Sequence, residues 1–232
     1  NKHSSEVIIL QTISDLFISA VDKRLMSERP IGCMLSGGLD SSLVAALLVR
    51  NIKGLRTFSI GLKGASDLKF AKQVADHLGT IHTEIIVTEQ EMLDAIDPVI
   101  LQIESYDTTT VRASTPMYLL GKYIKEHTDI TVIYSGEGSD EASGSYLYFR
   151  NAPDTTEFHN ETIRLMEDLS YYDVLRCDRT TAGHSLEVRV PFLDKDFLQY
   201  YMNIDSKLKI PSTYGGIEKY LLRKAFDKCN LL

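Results

Sequence analysis

No stretch of this 232-residue chain approaches the roughly 20 consecutive apolar residues a membrane-spanning helix needs, and no charged-then-apolar leader opens it. No membrane partner is therefore expected. Cysteine is scarce. Cys33, Cys177 and Cys229 are far apart, an odd and scattered set that suits a reducing compartment better than a disulfide framework or a zinc site. Positive charge is not in surplus either, with 25 Lys and Arg against 32 Asp and Glu and a formal net charge of −7. No basic patch is implied, which argues against a general nucleic-acid binder. Internal repeats and low-complexity tracts are missing. With 44% hydrophobic residues, the chain has material for one substantial core and a second lobe. The default expectation is a cytoplasmic enzyme.

What is present alternates. Segment 4–26 places Val7, Leu10, Ile13, Phe17, Ala20 and Val21 at helical spacing and closes near Pro30. IGCML (31–35) reads as a short buried parallel strand and SLVAALLVR after it as a helix. Strand-like LRTFSIGL precedes a helix over 67–78, which Gly79 stops. TIHTEIIV gives a third strand. A helix over 89–103 would have to bend at Pro98, and another over 115–127 carries Pro116 in its first turn. DITVIYS is the fourth strand. Beyond residue 150 strand signals fade, and 156–182, 194–202 and 217–227 look helical. The expected class is α/β, a Rossmann-like doubly wound parallel sheet with a helical C-terminal lobe, divided as 1–150 for the α/β core with its N-terminal helix and 151–232 for the helical part.

Two glycine-rich stretches, SGGLDSS (36–42) and SGEGSDE (135–141), each follow an expected strand. In doubly wound sheets ligands gather at the carboxyl ends of strands, so both belong on one rim. In the first, Gly37 and Gly38 let backbone approach a ligand, successive N–H groups can form an anion nest at a helix start, and Ser36, Ser41 and Ser42 add hydroxyl donors. It is neither a Walker A loop nor GxGxxG. Asp40 in its midst would repel phosphate unless a divalent cation stood between them, which predicts a Mg²⁺–pyrophosphate site. The competing reading is a plain capped helix start. Glu137, Asp140 and Glu141 in the second stretch offer a metal ligand and a general base, or else ordinary first-turn chemistry.

SGGLDSS matches the pyrophosphate loop of the N-type ATP pyrophosphatases. With FSIGL, IESYDTTTVRASTPMYLL, SGEGSDE and LEVRVPFLD, nearly the whole chain from about residue 5 resembles the synthetase domain of glutamine-dependent asparagine synthetase. The resemblance implies ATP-dependent amidation of aspartate by ammonia through an aspartyl-adenylate, releasing AMP and pyrophosphate, with ATP and Mg²⁺ as cofactors. It assigns Ser36, Gly37, Gly38, Asp40, Ser41 and Ser42 to pyrophosphate and Mg²⁺. Met34, Ile60 and Gly136 fall around the adenine and Ser135 near the nucleoside. Glu137 becomes the base or ammonium contact, Asp140 the metal or substrate contact, and Glu104, Asp107 and Arg112 lie near the substrate. Glu187 and Arg189 also match a family motif, with local charge pairing as the other reading. His184, Tyr171 and Tyr172 read as packing residues.

Three departures accompany the resemblance. The family's N-terminal glutaminase domain with its cysteine nucleophile does not precede NKHSSEV, so a glutaminase partner is expected from the rest of the protein. The family's basic segment with a charge-stabilising lysine is expected downstream of Asn230-Leu231-Leu232, where the sequence stops. Ser145 stands where the family usually has glycine, a strain of about 1 kcal/mol or more if that position needs φ > 0. The chain alone is thus expected to bind ATP–Mg²⁺ but to be weakly active or inactive with ammonia. A homodimer is left open. The competing functions are a related adenylating ligase, such as a β-lactam synthetase, and a non-catalytic ATP-binding module.

Overall fold

The computed structural model of the chain describes residues 2–227, so Cys229 and the Asn230–Leu232 stretch lie outside the described residues. Among those described, sixteen elements alternate in the order the apolar pattern suggests: α1 (Lys2–Asp22), β1 (Ile31–Met34), α2 (Leu39–Leu48), β2 (Arg56–Leu62), α3 (Ser66–Leu78), β3 (Ile81–Val87), α4 (Glu89–Asp94), α5 (Ile96–Ile103), α6 (Thr108–His127), β4 (Val132–Tyr134), α7 (Ser139–Ser143), α8 (Thr155–Asp168), α9 (Asp173–Ala182), β5 (Glu187–Arg189), α10 (Lys195–Met202) and α11 (Tyr220–Phe226). The five strands form one parallel sheet in the order β3-β2-β1-β4-β5.

Side-chain alternation along the short central strands explains the two helical layers. Cys33 and Leu35, Val132 and Tyr134 point into one buried cluster with Ile13, Phe17 and Phe226. Met34 and Ile133 point into another with Phe58, Leu120 and Ile124. A strand buried on both faces needs apolar residues at every position, which is what IGCM and VIY supply. The first layer is anchored by aromatics: the Phe17 ring lies 4.2 Å from Phe192, 5.2 Å from Phe197 and 6.0 Å from Phe226. Of the α1 stripe, Ile13, Phe17, Ala20 and Val21 are buried, whereas Val7 is exposed. No helix among the described residues is long and apolar enough to cross a membrane.

Four local expectations change. The strand signal does not end at residue 150: Glu187–Arg189 pairs in register with Val132–Tyr134, so residues on both sides of that position share one sheet. Segment 89–103 is two helices parted at Ala95, and Pro98 sits in the first turn of α5, where its missing N–H costs no helical bond. Helix α6 starts at Thr108, not 115, because the Asp107 carboxylate accepts the Thr110 N–H and caps it. Pro116 is consequently inside the helix. The left-handed position in the turn after α7 belongs to Gly144 (φ 61°) and not to Ser145, which donates its hydroxyl to Asp140. The condition for a strained serine is not met. Gly79, by contrast, ends α3 with φ 68° as its place in the sequence indicates.

Candidate active site

β1 and β4 are neighbours in the sheet, so the loops that leave their carboxyl ends meet. They meet closely because of two glycines. Gly37, at φ 79°, runs so near α3 that a Cβ there would lie 2.4 Å from the Ala71 backbone nitrogen. A Cβ on Gly136 would lie 2.9 Å from the Ser41 nitrogen and 3.0 Å from the Asp40 carbonyl carbon. Only bare backbone fits at either place. Helix α2 then begins at Leu39 with Gly38 as its N-cap and no side-chain cap, leaving its first N–H groups to face the rim. Ser36 and Ser41 hydroxyls are 2.9 Å apart, and the Ser36 N–H donates to Ser41 at 3.1 Å. The Ser42 hydroxyl is buried without a hydrogen-bond partner.

Above this rim opens a cleft of about 1480 Å³, larger than the roughly 300–1,000 Å³ that one small ligand occupies. It has room for a nucleotide and a second substrate together. Met34, Ser36, Gly38, Asp40, Ser41, Ile60, Ser135, Gly136, Glu137, Asp140 and Arg112 all line it. Gly37 and Ser42 support the loop from behind. The structure does not bring Glu104 and Asp107 to the cleft. Glu104 is at the end of α5 with φ 54° and pairs with Arg179 at 2.5 Å beside a separate shallow pocket, while Asp107 is spent on capping α6. Arg189 pairs locally with Glu187 at 2.8 Å and donates to the Met26 carbonyl at 2.9 Å. His184 packs edge-on against Tyr118 and hydrogen-bonds the Thr180 carbonyl at 2.8 Å, a helix-packing histidine. Tyr171 and Tyr172 are exposed and not packed, with Tyr172 at the cleft.

A lysine within the chain also reaches the rim. Lys219, just before α11 and at φ 55°, places its ammonium 2.5 Å from Asp40 Oδ2 and 2.8 Å from Asp140 Oδ1, joining the two loops. Its side chain is almost fully buried. Asp40 also accepts the Ser139 hydroxyl at 2.7 Å. Burial opposes charging this lysine, but the two carboxylates outweigh it and its pKa is raised. For Asp40, burial and the like charge of Asp140 outweigh the single ammonium, so its carboxyl is raised above the usual range. Two carboxylates thus share one cation.

Sequence reading missed Lys219 because it lies 179 residues from Asp40 with no spacing rule between them. It also missed Arg176 and Asp173. Arg176 pairs with Glu137 at 2.6 Å and Asp173 at 2.8 Å, and both line the cleft. In the sequence they read as one more charged helix face.

The asparagine synthase family profile matches residues 12–157 and 150–230, together nearly the entire chain. The chain belongs to the asparagine synthase family. It is similar to the glutamine-hydrolyzing asparagine synthetase of Gallus gallus, 52% identical over 230 residues that make up 97% of this chain and 41% of the relative. The Homo sapiens enzyme of the same name is 51% identical over 223 residues, 94% of this chain and 39% of the relative. The chain therefore spans about two fifths of the length of these curated relatives. Among solved structures, the NMN synthetase of Francisella tularensis aligns with a TM-score of 0.40 at 14% identity, covering 83% of this chain and 92% of that one.

Proposed function

We propose that this chain carries the ATP-dependent half of an asparagine synthetase: it activates the side-chain carboxylate of aspartate and transfers the activated acyl group to ammonia. The observation that carries this reading is the direct contact of the two loops at the carboxyl ends of β1 and β4, tied by Lys219 between Asp40 and Asp140. The membership of the chain in the asparagine synthase family supports it.

In the first step an aspartate carboxylate oxygen bonds to the α-phosphorus of ATP, and the bond to the bridging oxygen of pyrophosphate breaks. The α2 N-terminus and the backbone of Gly38, with the hydroxyls of Ser36 and Ser41, suit the departing pyrophosphate. Met34 and Ile60 form apolar walls suited to a base, with Ser135 and Gly136 beside them. Lys219 supplies fixed positive charge where negative charge builds up as the bond breaks. Arg112, exposed at the cleft wall, suits the α-carboxylate of aspartate.

Mg²⁺ fits the donor set. Asp40 and Asp140 converge on one point with a carboxylate in excess over the single ammonium, and no group of three metal-ligating side chains exists among the described residues. One or two carboxylates completed by phosphate oxygens is the usual protein share of a magnesium site. Bound there, the ion would neutralise phosphate charge beside Asp40. In the second step ammonia attacks the acyl carbon, Glu137 accepts the proton released from nitrogen, and AMP leaves. Ammonia from glutamine would come from a glutaminase domain elsewhere in the whole protein.

The test is pyrophosphate release from ATP by the whole protein that contains this chain, measured with aspartate, with ammonium, and with both. Release that depends on aspartate, with asparagine appearing only when ammonium is added, is the expected result. Release that ignores aspartate but follows another acid would replace the substrate. ATP binding by calorimetry with no release under any condition would overturn the proposal in favour of a binding module. A related expectation concerns Gly136→Ala. Its methyl must displace the Asp40–Ser41 backbone, an overpacking cost of about 1–3 kcal/mol, so ATP should bind about tenfold more weakly by calorimetry. Unchanged affinity would show that the two loops are not held at contact distance when ATP binds.

A further inference from the structure

Glu137 leaves the β4 loop toward the cleft, but what fixes its carboxylate comes from α9. Arg176 Nη2 donates to Glu137 Oε2 at 2.6 Å, and the same nitrogen pairs with Asp173 at 2.8 Å. All three side chains are about one-fifth exposed, at 19%, 19% and 21% for Arg176, Glu137 and Asp173. The Arg176 Nε is buried and has no hydrogen-bond partner. Behind Asp173 stands Glu141, wholly inside the protein, with the Tyr146 hydroxyl donating to it. The line Tyr146–Glu141–Asp173–Arg176–Glu137 thus runs along one wall and ends on the carboxylate that faces the substrates.

An ion pair whose only task is to hold α9 to the loop would be free to lie away from the ligand space. Here Glu137, Asp173 and Arg176 all line the cleft. A guanidinium nitrogen shared by two carboxylates has little freedom, so the carboxylate it holds has little as well. We propose that Arg176, itself braced by Asp173, is the positioning residue that aims the Glu137 carboxylate at the ammonia-accepting side of the cleft. This rests on the proposed two-step amidation.

The proposal has a pH signature. Groups facing Glu137 are Arg176, Asp173 and Cys177 of α9 and Asp140 of α7. Burial raises the Glu137 carboxyl, Arg176 opposes that, and Asp173 and Asp140 push the same way as burial. Without Arg176 nothing in this set favours the ionised Glu137, and its titration should move up by about one pH unit or more.

The experiment compares the whole protein that contains this chain with its Arg176→Met and Arg176→Lys variants in two half-reactions: aspartate-dependent ATP–pyrophosphate exchange, which reports adenylation, and ammonium-dependent asparagine formation. Carboxyl carbon NMR, assigned with Glu137→Gln, follows the Glu137 titration directly. In Arg176→Met, amide formation should fall about 10²-fold in kcat, exchange should fall far less, and the acid limb of amide formation and the NMR titration should both move to higher pH. Arg176→Lys should restore the titration but little of the rate, since a lysine keeps the charge and loses the rigid planar guanidinium. An unmoved Glu137 titration in Arg176→Met overturns the inference. So does an equal fall in both half-reactions with a lowered unfolding midpoint, which is what a purely structural pair would give. Absence of aspartate-dependent exchange in the unaltered protein overturns the amidation reading instead, and the NMR titration still decides whether Arg176 governs Glu137.

Discussion

Lys219→Met should lower aspartate-dependent pyrophosphate release by at least about 10²-fold, the cost of removing one preorganised charge from a site where negative charge develops. Its ammonium lies between Asp40 and Asp140, one carboxylate from each glycine-rich loop. Methionine matches the length of the stem and keeps the packing, but leaves two carboxylates facing each other with no cation. Breaking such a pair costs about 3–5 kcal/mol when both partners are buried. The low end applies here, because Asp140 keeps 42% of its side chain exposed. Urea unfolding should therefore show a lower midpoint, and the loss should shrink at acid pH, where the already raised Asp40 carboxyl takes a proton. Mg²⁺ should matter more to the variant than to the parent chain, since a divalent ion is the remaining source of positive charge at that point. A variant that released pyrophosphate at the parental rate would remove Lys219 from the mechanism.

Lys209→Met should do the opposite and stabilise the protein. Lys209 is 4% exposed. Its ammonium finds one long contact, 3.4 Å to the Tyr201 carbonyl, and the Tyr201 ring at 5.7 Å. No carboxylate pairs with it among the described residues. Burial lowers its pKa to about 8, with Asp205 only partly opposing. A lysine that ionises at about 8 when folded and near 10.5 when unfolded costs the folded state about 3 kcal/mol at neutral pH. The sign runs with pH: below about 8 both states hold the proton and the penalty is full. Between about 8 and 10.5 the unfolded chain binds the extra proton, so stability rises with pH. The methionine variant should thus exceed the parent by about 2–3 kcal/mol at pH 7 in urea unfolding, with the difference closing as the pH approaches 10. A gap independent of pH would mean that packing, and not charge, separates the two.

How much of this was legible from residues alone follows from the range of each signal. The sheet was, because apolar runs and helical periodicity are written within a few residues of each other. So was the meeting of SGGLDSS and SGEGSDE, since a parallel sheet sends every strand's carboxyl end to one rim and the two parent strands turned out to be neighbours. The three-residue strand β5 was not, as Glu187-Val188-Arg189 carries charge at both ends and is recognisable only against its partner. The true start of α6 is written in Asp107, whose carboxylate accepts the Thr110 N–H. Arg176 and Lys219 were invisible for a different reason: each acts on a carboxylate that is distant in sequence, and only tertiary packing joins them.

Helix α1 touches no part of the cleft, yet its Phe17 packs edge-on against Phe226 of α11, and α11 begins at the residue after Lys219. The first helix is thereby a backstop for a charge placed nearly two hundred residues later. The place of that ammonium between Asp40 and Asp140 thus depends in part on the apolar packing of α1 against α11.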